Sequence, residues 1–354
     1  MVCEAKRLRL KILAPISRVY EVKLLVDEGA DEFYCGVLPK EWREKFFGLS
    51  LNRRPGLNAN LKDFNELKDC VETAHSYGKP IYLTINQLYY TDTQYPLILK
   101  YIDEAVRVGV DGLIVGSLEV LLALNRMNID VYTILSTTAP ALNSQTVKFY
   151  VGLGVKRVIL PRHLTLDEVE EIVKENPRVD FEVFILNSKC PNLEGFCSFL
   201  HETSDTDFPY KNACMLKYNV LPLSAEKVDS FLLENQKIWE KIHMDSLPCG
   251  VCALPRLSKL VSGVKIVGRG NPTWKKVTDL IYVKSLLKYL EEEKPSEEDF
   301  RRMAKRLSIM YRRMLMDTHM HRPRVVEALA HSFNGRDKCE EYVCYYPSVG
   351  RDVD

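Results

Sequence analysis

The sequence predicts a (β/α)8 barrel of the TIM type, eight parallel strands joined by helical crossovers. Two observations carry that expectation. The first is a recurring unit in which a helical pattern ends in glycine and runs into an apolar strand. It occurs as Glu28-Gly29-Ala30-Asp31, Val108-Gly109-Val110-Asp111, Leu153-Gly154-Val155-Lys156 and Ser262-Gly263-Val264-Lys265. Glycine just past a last helical turn takes the left-handed cap without a Cβ clash. The second is a set of eight short runs rich in β-formers, apolar enough to be buried on both faces. They are Leu10–Leu13, Glu32–Cys35, Ile81–Ile85, Gly112–Val115, Val131–Leu135, Arg157–Leu160, Phe181–Ile185 and Val264–Val267. An open doubly wound sheet is the alternative architecture.

In chain order, the first strand leads into helical periodicity over Ser17–Asp27. The second opens onto a long polar and aromatic loop, 36–61, that carries Arg53, Arg54 and Pro55-Gly56. Helical patterns over Phe64–His75, Leu97–Val108, Ser144–Leu153 and Leu166–Val173 separate the next strands. Thr165-Leu-Asp-Glu168 reads as a capping box before the last of these. A long insertion then divides strand seven from strand eight, and it holds five of the ten cysteines. Lys275–Glu291 is expected to cover strand eight. Both insertions follow a strand, so both fall on the C-terminal face, where barrel active sites gather. The barrel with its cysteine-rich insertion (188–260) is expected to span 8–292, and a helical extension and tail 293–354. Within the extension, Phe300–Met314 is basic and amphipathic, as suits a packing helix with one solvated face or, alternatively, a basic contact with RNA or an acidic partner.

Composition excludes several classes. The 354 residues carry a net charge of +1 and are 46% hydrophobic, which is ordinary for a globular chain and gives no global pull toward nucleic acid or membrane. The N-terminal residues lack the apolar core of a secretory signal, and no apolar run approaches the ~18 residues of a membrane span. A cytoplasmic protein without a membrane span is expected. Ten cysteines in that compartment point to metal ligands or reactive thiols, not to a disulfide framework.

The cysteines cluster as Cys190-x6-Cys197-x16-Cys214, followed by Cys249-x2-Cys252. Thiolates favour zinc, copper(I) and iron–sulfur clusters, and the glycine and proline between them let the backbone fold round a small volume. The spacing matches neither a zinc ribbon nor a compact ferredoxin run. Spacing alone leaves a metal site, buried thiols and a redox dithiol open. Cys339-x4-Cys344 is a candidate second pair, whereas His319 and His321 would point apart on a helix. The chain has no His-Glu-x-x-His, no Gly-x-Ser-x-Gly elbow, no P-loop and no Cys-x3-Cys-x2-Cys run.

The stretch from Glu182 to Cys197 resembles the signature of the U32 peptidase family, the collagenase-like proteins. Glu182, Phe184, Ser188, Cys190, Gly195 and Cys197 stand in register with it, while Asn187, Lys189, Phe199 and Leu200 depart from it. The resemblance extends over about 8–290 through Leu13-Ala14-Pro15, Gly29 to Tyr34, Asn86, Ser136-Thr137 and Val267-Gly268-Arg269. It implies either of two activities. Some members are described as peptidases. Others support oxygen-independent hydroxylation of ubiquinone precursors or of tRNA and rRNA bases, in some cases with prephenate as the hydroxyl source. In the ubiquinone-pathway members four cysteines hold a 4Fe–4S cluster. The resemblance therefore implies a 4Fe–4S cluster, with zinc as the alternative, on Cys190, Cys197, Cys214 and Cys252. Cys249 is the rival for the fourth position.

Residues that end strands are the candidates for a substrate pocket: Asn86, Ser136, Arg162 and Arg269. Arg162 is expected either to clamp a substrate carboxylate or to pair with a loop acid. His163 is expected to cap a helix or lie at the surface, with a general base as the rival reading. Glu182 is expected low in the barrel interior in a structural hydrogen-bonding role. The expected function is that of an iron–sulfur protein supporting hydroxylation or modification of a small aromatic or quinone precursor or an RNA base. The rivals are a collagenase-like peptidase and a non-enzymatic, metal-stabilised binding subunit. The expected partners are a small-molecule or RNA substrate and a sister subunit or second copy of the chain.

Overall fold

A computed structural model describes residues 9–46, 49–54, 56–187, 189–190, 192–197, 237, 248–317, 343–346 and 348. Eight parallel strands close on themselves: β1 Lys11–Pro15, β2 Glu32–Cys35, β3 Ile81–Ile85, β4 Gly112–Val115, β5 Tyr132–Leu135, β6 Arg157–Ile159, β7 Asp180–Leu186 and β8 Gly263–Ile266. The seam is made by β1 and β8, with Ile12 opposite Val264. The expected (β/α)8 barrel is thus the observed fold, and the open sheet is not.

Helices α1 Val19–Asp27, α2 Lys40–Lys45, α3 Phe64–Ser76, α4 Tyr95–Arg107, α5 Leu118–Arg126, α6 Ser144–Gly152 and α7 Leu166–Glu175 surround the strands. After β7 come a 3-10 turn, Val251–Ala253, and α8 Leu254–Leu257; after β8 come α9 Thr273–Glu293 and α10 Glu297–Asp317. Side-chain caps start several of these where the sequence supplies them. Asp63 accepts from Glu66 N, Ser117 from Val120 N, and Thr165 and Glu168 form the reciprocal capping box. Among the described residues, no helix is long and apolar enough to cross a membrane.

The glycine caps hold at three of the four expected places. Gly29, Gly109 and Gly154 have φ of +93°, +87° and +91°. Gly78, after α3, is a further copy at +65°. Gly263 is different: it is the first residue of β8 and has ordinary strand backbone. The short α8 already ends at Leu257, so there is no helix for Gly263 to cap. Instead it faces the barrel interior, where a Cβ would lie 3.4 Å from Lys11 O and 3.9 Å from the Glu182 side chain.

Two apolar cores follow from strand alternation. Residues such as Ile12, Phe33, Leu83, Val115, Val158, Val183 and Val264 point outward into the helices. Leu13, Tyr34, Tyr82, Ile114, Ile134 and Ile159 point inward. Beneath that inner layer the barrel is ionic. Arg157 donates to Glu32 (Nη2 to Oε1, 3.2 Å) and to Glu182 (3.3 Å), and Lys11 reaches Glu32 at 2.8 Å. Glu182 therefore has the structural place expected of it. Gly112 leaves room for the Tyr132 carbonyl and the Tyr82 ring, and the Tyr82 and Tyr132 rings stack at 6.2 Å beside the Arg157 guanidinium.

The basic helix α10 packs Phe300, Ala304, Ser308, Tyr311 and Leu315 inward. Its Tyr311 stacks on Tyr282 of α9 at 4.5 Å; Arg302, Arg306 and Arg313 lie on the exposed side, whereas Arg312 is buried.

Candidate functional site

The ionic and tyrosine layers close the barrel from below, and a pocket opens above them on the C-terminal face. Tyr34, Ile114, Ile159, Phe184 and Lys265 form its floor; strand-end residues and two loops form its walls. Asn86, Ser136, Arg162 and Arg269, the four pocket candidates, all line it. So do Cys190 and Cys197.

Arg269 is held rigidly. Its Nη1 donates to Thr84 Oγ1 (2.8 Å) and Asn60 Oδ1 (3.2 Å), and its Nη2 to Asn52 O (2.9 Å) and Oδ1 (3.0 Å). Every acceptor is neutral. The guanidinium is 5% exposed, and burial lowers it to about 10 despite the proximity of Tyr34. Gly36 makes the seat: a Cβ there would stand 1.8 Å from Arg269 Nη1. Arg54 lies close by and is lowered for the same reason, burial first. Arg53, in the left-handed region at φ +63°, donates to Gln87 Oε1 (3.3 Å) and to Cys197 Sγ (3.5 Å). Among the described residues, none of these three guanidiniums has a carboxylate partner. Arg269 is buried and Arg53 and Arg54 are half-buried, and cations so placed without counter-charges suit an anion.

Arg162 resolves otherwise. Its side chain and backbone N–H both donate to Glu194, with Nε to Oε1 at 3.0 Å and N to Oε2 at 2.6 Å. Burial opposes its charge, but Glu194 overrides it and holds Arg162 above its ordinary range. The loop acid is therefore its partner, and this clamp fixes the cysteine loop to the end of β6. Gly195 then brings the loop against β5: at φ +89°, a Cβ would stand 2.5 Å from Pro140 Cα. His163 is not part of the pocket lining; burial lowers it, and its Nδ1 has no hydrogen-bond partner.

Asn86 Nδ2 donates to Ser136 Oγ at 3.2 Å, while its Oδ1 is buried and unsatisfied at the pocket wall. That oxygen is available to a ligand N–H or O–H. The only carboxylate among the described lining residues is Glu194, already engaged with Arg162. Among the described lining residues no carboxylate is left free to act as a general base.

The thiols divide in two groups. Cys190 and Cys197 share the cysteine-loop wall; burial raises Cys190, and Arg162 opposes that. Guanidiniums stand beside both sulfurs, Arg162 by Cys190 and Arg53 by Cys197, and soft metals bind thiolates. Pro248–Gly250 runs antiparallel to the end of β7, through Asn187 N to Pro248 O (2.9 Å) and Gly250 N to Ile185 O (2.9 Å). Cys249 thus stands opposite Leu186, and Cys252 lies farther along, in the 3-10 turn, 9% exposed among apolar side chains. Cys214 and Cys339 lie outside the described residues, as do His319 and His321. Among the described residues, no group of three or more His, Cys, Asp or Glu side chains is placed to hold a metal. What fits a thiolate-bound group is the Cys190 and Cys197 pair with its flanking cations.

Two of the signature departures have physical reasons. Asn187 sits at φ +66°, where glycine is unstrained and Asn is the next most tolerant residue. Its side chain also donates to Val267 O (2.9 Å) and Asp279 Oδ2 (2.8 Å) and accepts from Lys275 (2.9 Å). Lys189 donates to Cys344 O (3.0 Å) and Tyr345 O (3.2 Å), tying the segment 343–346 to the loop. The same segment pairs with Cys249, and Tyr345 Oη donates to Asn187 O. Phe199 and Leu200 lie outside the described residues. Asn187→Ala is expected to be about 1 kcal/mol less stable than Asn187→Gly, because both lose the side-chain bonds but only alanine is strained at this φ. Parallel urea denaturation checks this; equal stabilities would remove the backbone explanation.

A family model described as "Peptidase family U32" matches residues 17–328. The chain is 29% identical over 189 residues to tRNA hydroxylation protein P of Helicobacter pylori, covering 53% of this chain and 42% of that one. It is 28% identical over 271 residues to an uncharacterised protease of Methanocaldococcus jannaschii, covering 74% and 61%. It is 27% identical over 215 residues to an Escherichia coli 23S rRNA 5-hydroxycytidine synthase, covering 60% and 30%. The chain spans less than half the length of the tRNA hydroxylation protein and of the rRNA synthase that it matches.

Proposed function

The chain belongs to peptidase family U32, and from that premise we propose that it supports oxygen-independent hydroxylation of an RNA base with a 4Fe–4S cluster beside the barrel pocket. The observation that carries this reading is the pocket wall shared by Cys190 and Cys197, where Arg53, which lacks a carboxylate partner among the described residues, donates to Cys197 Sγ. The relatives named for tRNA and rRNA hydroxylation support the RNA base as substrate in preference to a quinone precursor.

Cys190, Cys197 and Cys214 would supply three thiolates. The fourth would come from Cys252, which the family spacing favours, or from Cys249, which stands nearer the mouth. Bound there, a cluster supplies one-electron chemistry or a seat for an oxygen-bearing donor. The chain's own residues do the rest. Arg53, Arg54 and Arg269 receive anionic groups of the donor or of the RNA backbone. Asn86 Oδ1 accepts from a base N–H, and Phe184 and Leu193 offer apolar surface to its ring. The Arg162–Glu194 clamp keeps the two thiols in place.

Protein purified without oxygen is expected to contain iron and acid-labile sulfide and to absorb broadly in the visible blue. Cys190→Ala, Cys197→Ala and Cys214→Ala should each reduce iron to near background, and only one of Cys249→Ala and Cys252→Ala should do so. Nucleoside mass spectrometry of tRNA and rRNA from cells lacking the protein should show the loss of a hydroxylated base. Zinc in place of iron, or an unchanged nucleoside profile, would defeat the corresponding half of the proposal.

A further inference from the structure

The pocket floor carries a lysine that the reading above does not use. Lys265 projects from β8 into the barrel, 3% exposed, and its Nζ has no hydrogen-bond acceptor. It stands 3.9 Å from the Tyr34 ring centroid, 5.9 Å from that of Phe184, and 3.7 Å from Glu182 Oε1. That carboxylate oxygen has no hydrogen-bond donor either. An ammonium offers three protons and seeks three acceptors. Here two ring faces and one carboxylate oxygen 3.7 Å away stand in place of those acceptors.

The charged and titratable groups around Lys265 come from several elements: Tyr34 from β2, Arg157 from β6, Glu182 from β7, and Arg269 beyond β8. Burial lowers Lys265 most, Glu182 draws it back up, and Arg269 and Arg157 press it down, leaving it at about 8. Burial moves Glu182 the other way, above the usual carboxylate range. The pair is thus a lysine whose ammonium is weakened, beside a carboxyl whose ionisation burial opposes.

Above this pair the same pocket presents Arg54 and Arg269, which lack carboxylate partners among the described residues. We infer that Lys265 is a nucleophile that forms an imine with a small carbonyl compound whose anionic group is held by Arg54 and Arg269, with Glu182 as the proton carrier. The amine nitrogen attacks the carbonyl carbon, and a C–N bond forms. One amine proton passes through Glu182 to the carbonyl oxygen and gives the carbinolamine. The second follows as the C–O bond breaks, so the oxygen leaves as water and the imine remains. No electrons change hands and no other reactant is needed. This step is independent of any metal at the cysteines, so its test stands apart from the iron analysis.

The test is reductive trapping on the full chain at neutral pH. Pyruvate and dihydroxyacetone phosphate serve as probes for the carboxylate and phosphate forms of the anion, with cyanoborohydride as reductant and peptide mass spectrometry as readout. The reduced adduct is expected on Lys265 at an occupancy at least about 10-fold above that of any exposed lysine, which is far more fully protonated at that pH. Either probe succeeding supports the inference and identifies the anion. Lys265→Arg should lose that adduct and leave background labelling of other lysines unchanged. If that variant does not fold, the map of the native protein still decides. Labelling spread evenly over surface lysines, or no adduct at Lys265 with either probe, would overturn the inference.

Discussion

Arg157→Met is expected to lower the unfolding free energy by about 3–5 kcal/mol, a large share of the roughly 5–15 kcal/mol typical of a folded domain. Arg157 is 4% exposed and sits between Glu32 and Glu182, which are 2% and 0% exposed. Removing it leaves Glu182 with Lys265 at 3.7 Å and Glu32 with Lys11 alone. Two carboxylates would then share a buried layer with little compensation. The acid side of the stability profile reports the same change. In the native protein burial works against Glu32, but Arg157 and Lys11 hold it below the usual carboxylate range. That contribution is present above the unfolded-state pKa and is lost as pH falls through the lower folded value. In the variant burial dominates and Glu32 rises, so protonation becomes stabilising. The deficit should therefore be largest at neutral pH and shrink at about pH 5. Guanidinium denaturation at both pH values measures it. A deficit below about 1 kcal/mol, the scale of an exposed ion pair, would mean that water reaches this layer.

Gly36→Ala is expected to cut the proposed RNA-base hydroxylation about 100-fold, the usual effect of losing one preorganised charged donor. The reason is geometric. The added methyl would stand 1.8 Å from Arg269 Nη1, 2.3 Å from Asn60 Oδ1 and 2.5 Å from Asn52 Nδ2. The guanidinium and both amides would have to leave the positions that the four hydrogen bonds hold. The accompanying loss of stability should be only about 1–3 kcal/mol, as for other overpacked sites. Arg269→Lys tests the same point without touching Gly36. It keeps a positive charge but cannot bridge Asn52, Asn60 and Thr84 together, and it should show a comparable loss. Full hydroxylation by either variant, with an intact fold, would exclude a substrate-side role for Arg269.

The barrel was largely legible because its physics is local. Strands such as Ile81–Ile85 and Gly112–Val115 are buried on both faces and read as plain apolar runs. The glycine caps and the Thr165 box sit within one helical turn of what they terminate. Gly263 misled because the same Gly-Val-Lys pattern serves in β8 as an inward-facing strand position. Helices α2 and α5 were missed: α2 is six residues long, and α5 follows β4 after only two residues. The pocket was legible only from strand ends, so Asn86, Ser136, Arg162 and Arg269 were found, while Arg54, Glu194 and Lys265 were not used. Lys265 did leave a signal, a lysine inside the apolar run Val264–Val267. Glu194 left none, because its pairing with Arg162 joins residues distant in sequence. The signature departures show the same limit: Asn187 and Lys189 look anomalous in one dimension and are explained only by a φ angle and by the approach of residues 343–346.

That approach also sets an order of assembly during synthesis. Lys189, Asn187 and Cys249 take contacts from Val343, Cys344 and Tyr345, which leave the ribosome long after the cysteine loop. At about 5–20 residues per second, translation from Cys197 to Tyr345 takes on the order of ten seconds. The eight strands can close before then, since β8 is complete at Ile266. During that interval the nascent barrel exists with its cysteine loop lacking these late contacts, and any factor that loads or protects the thiols has its opening while the polypeptide is still being made.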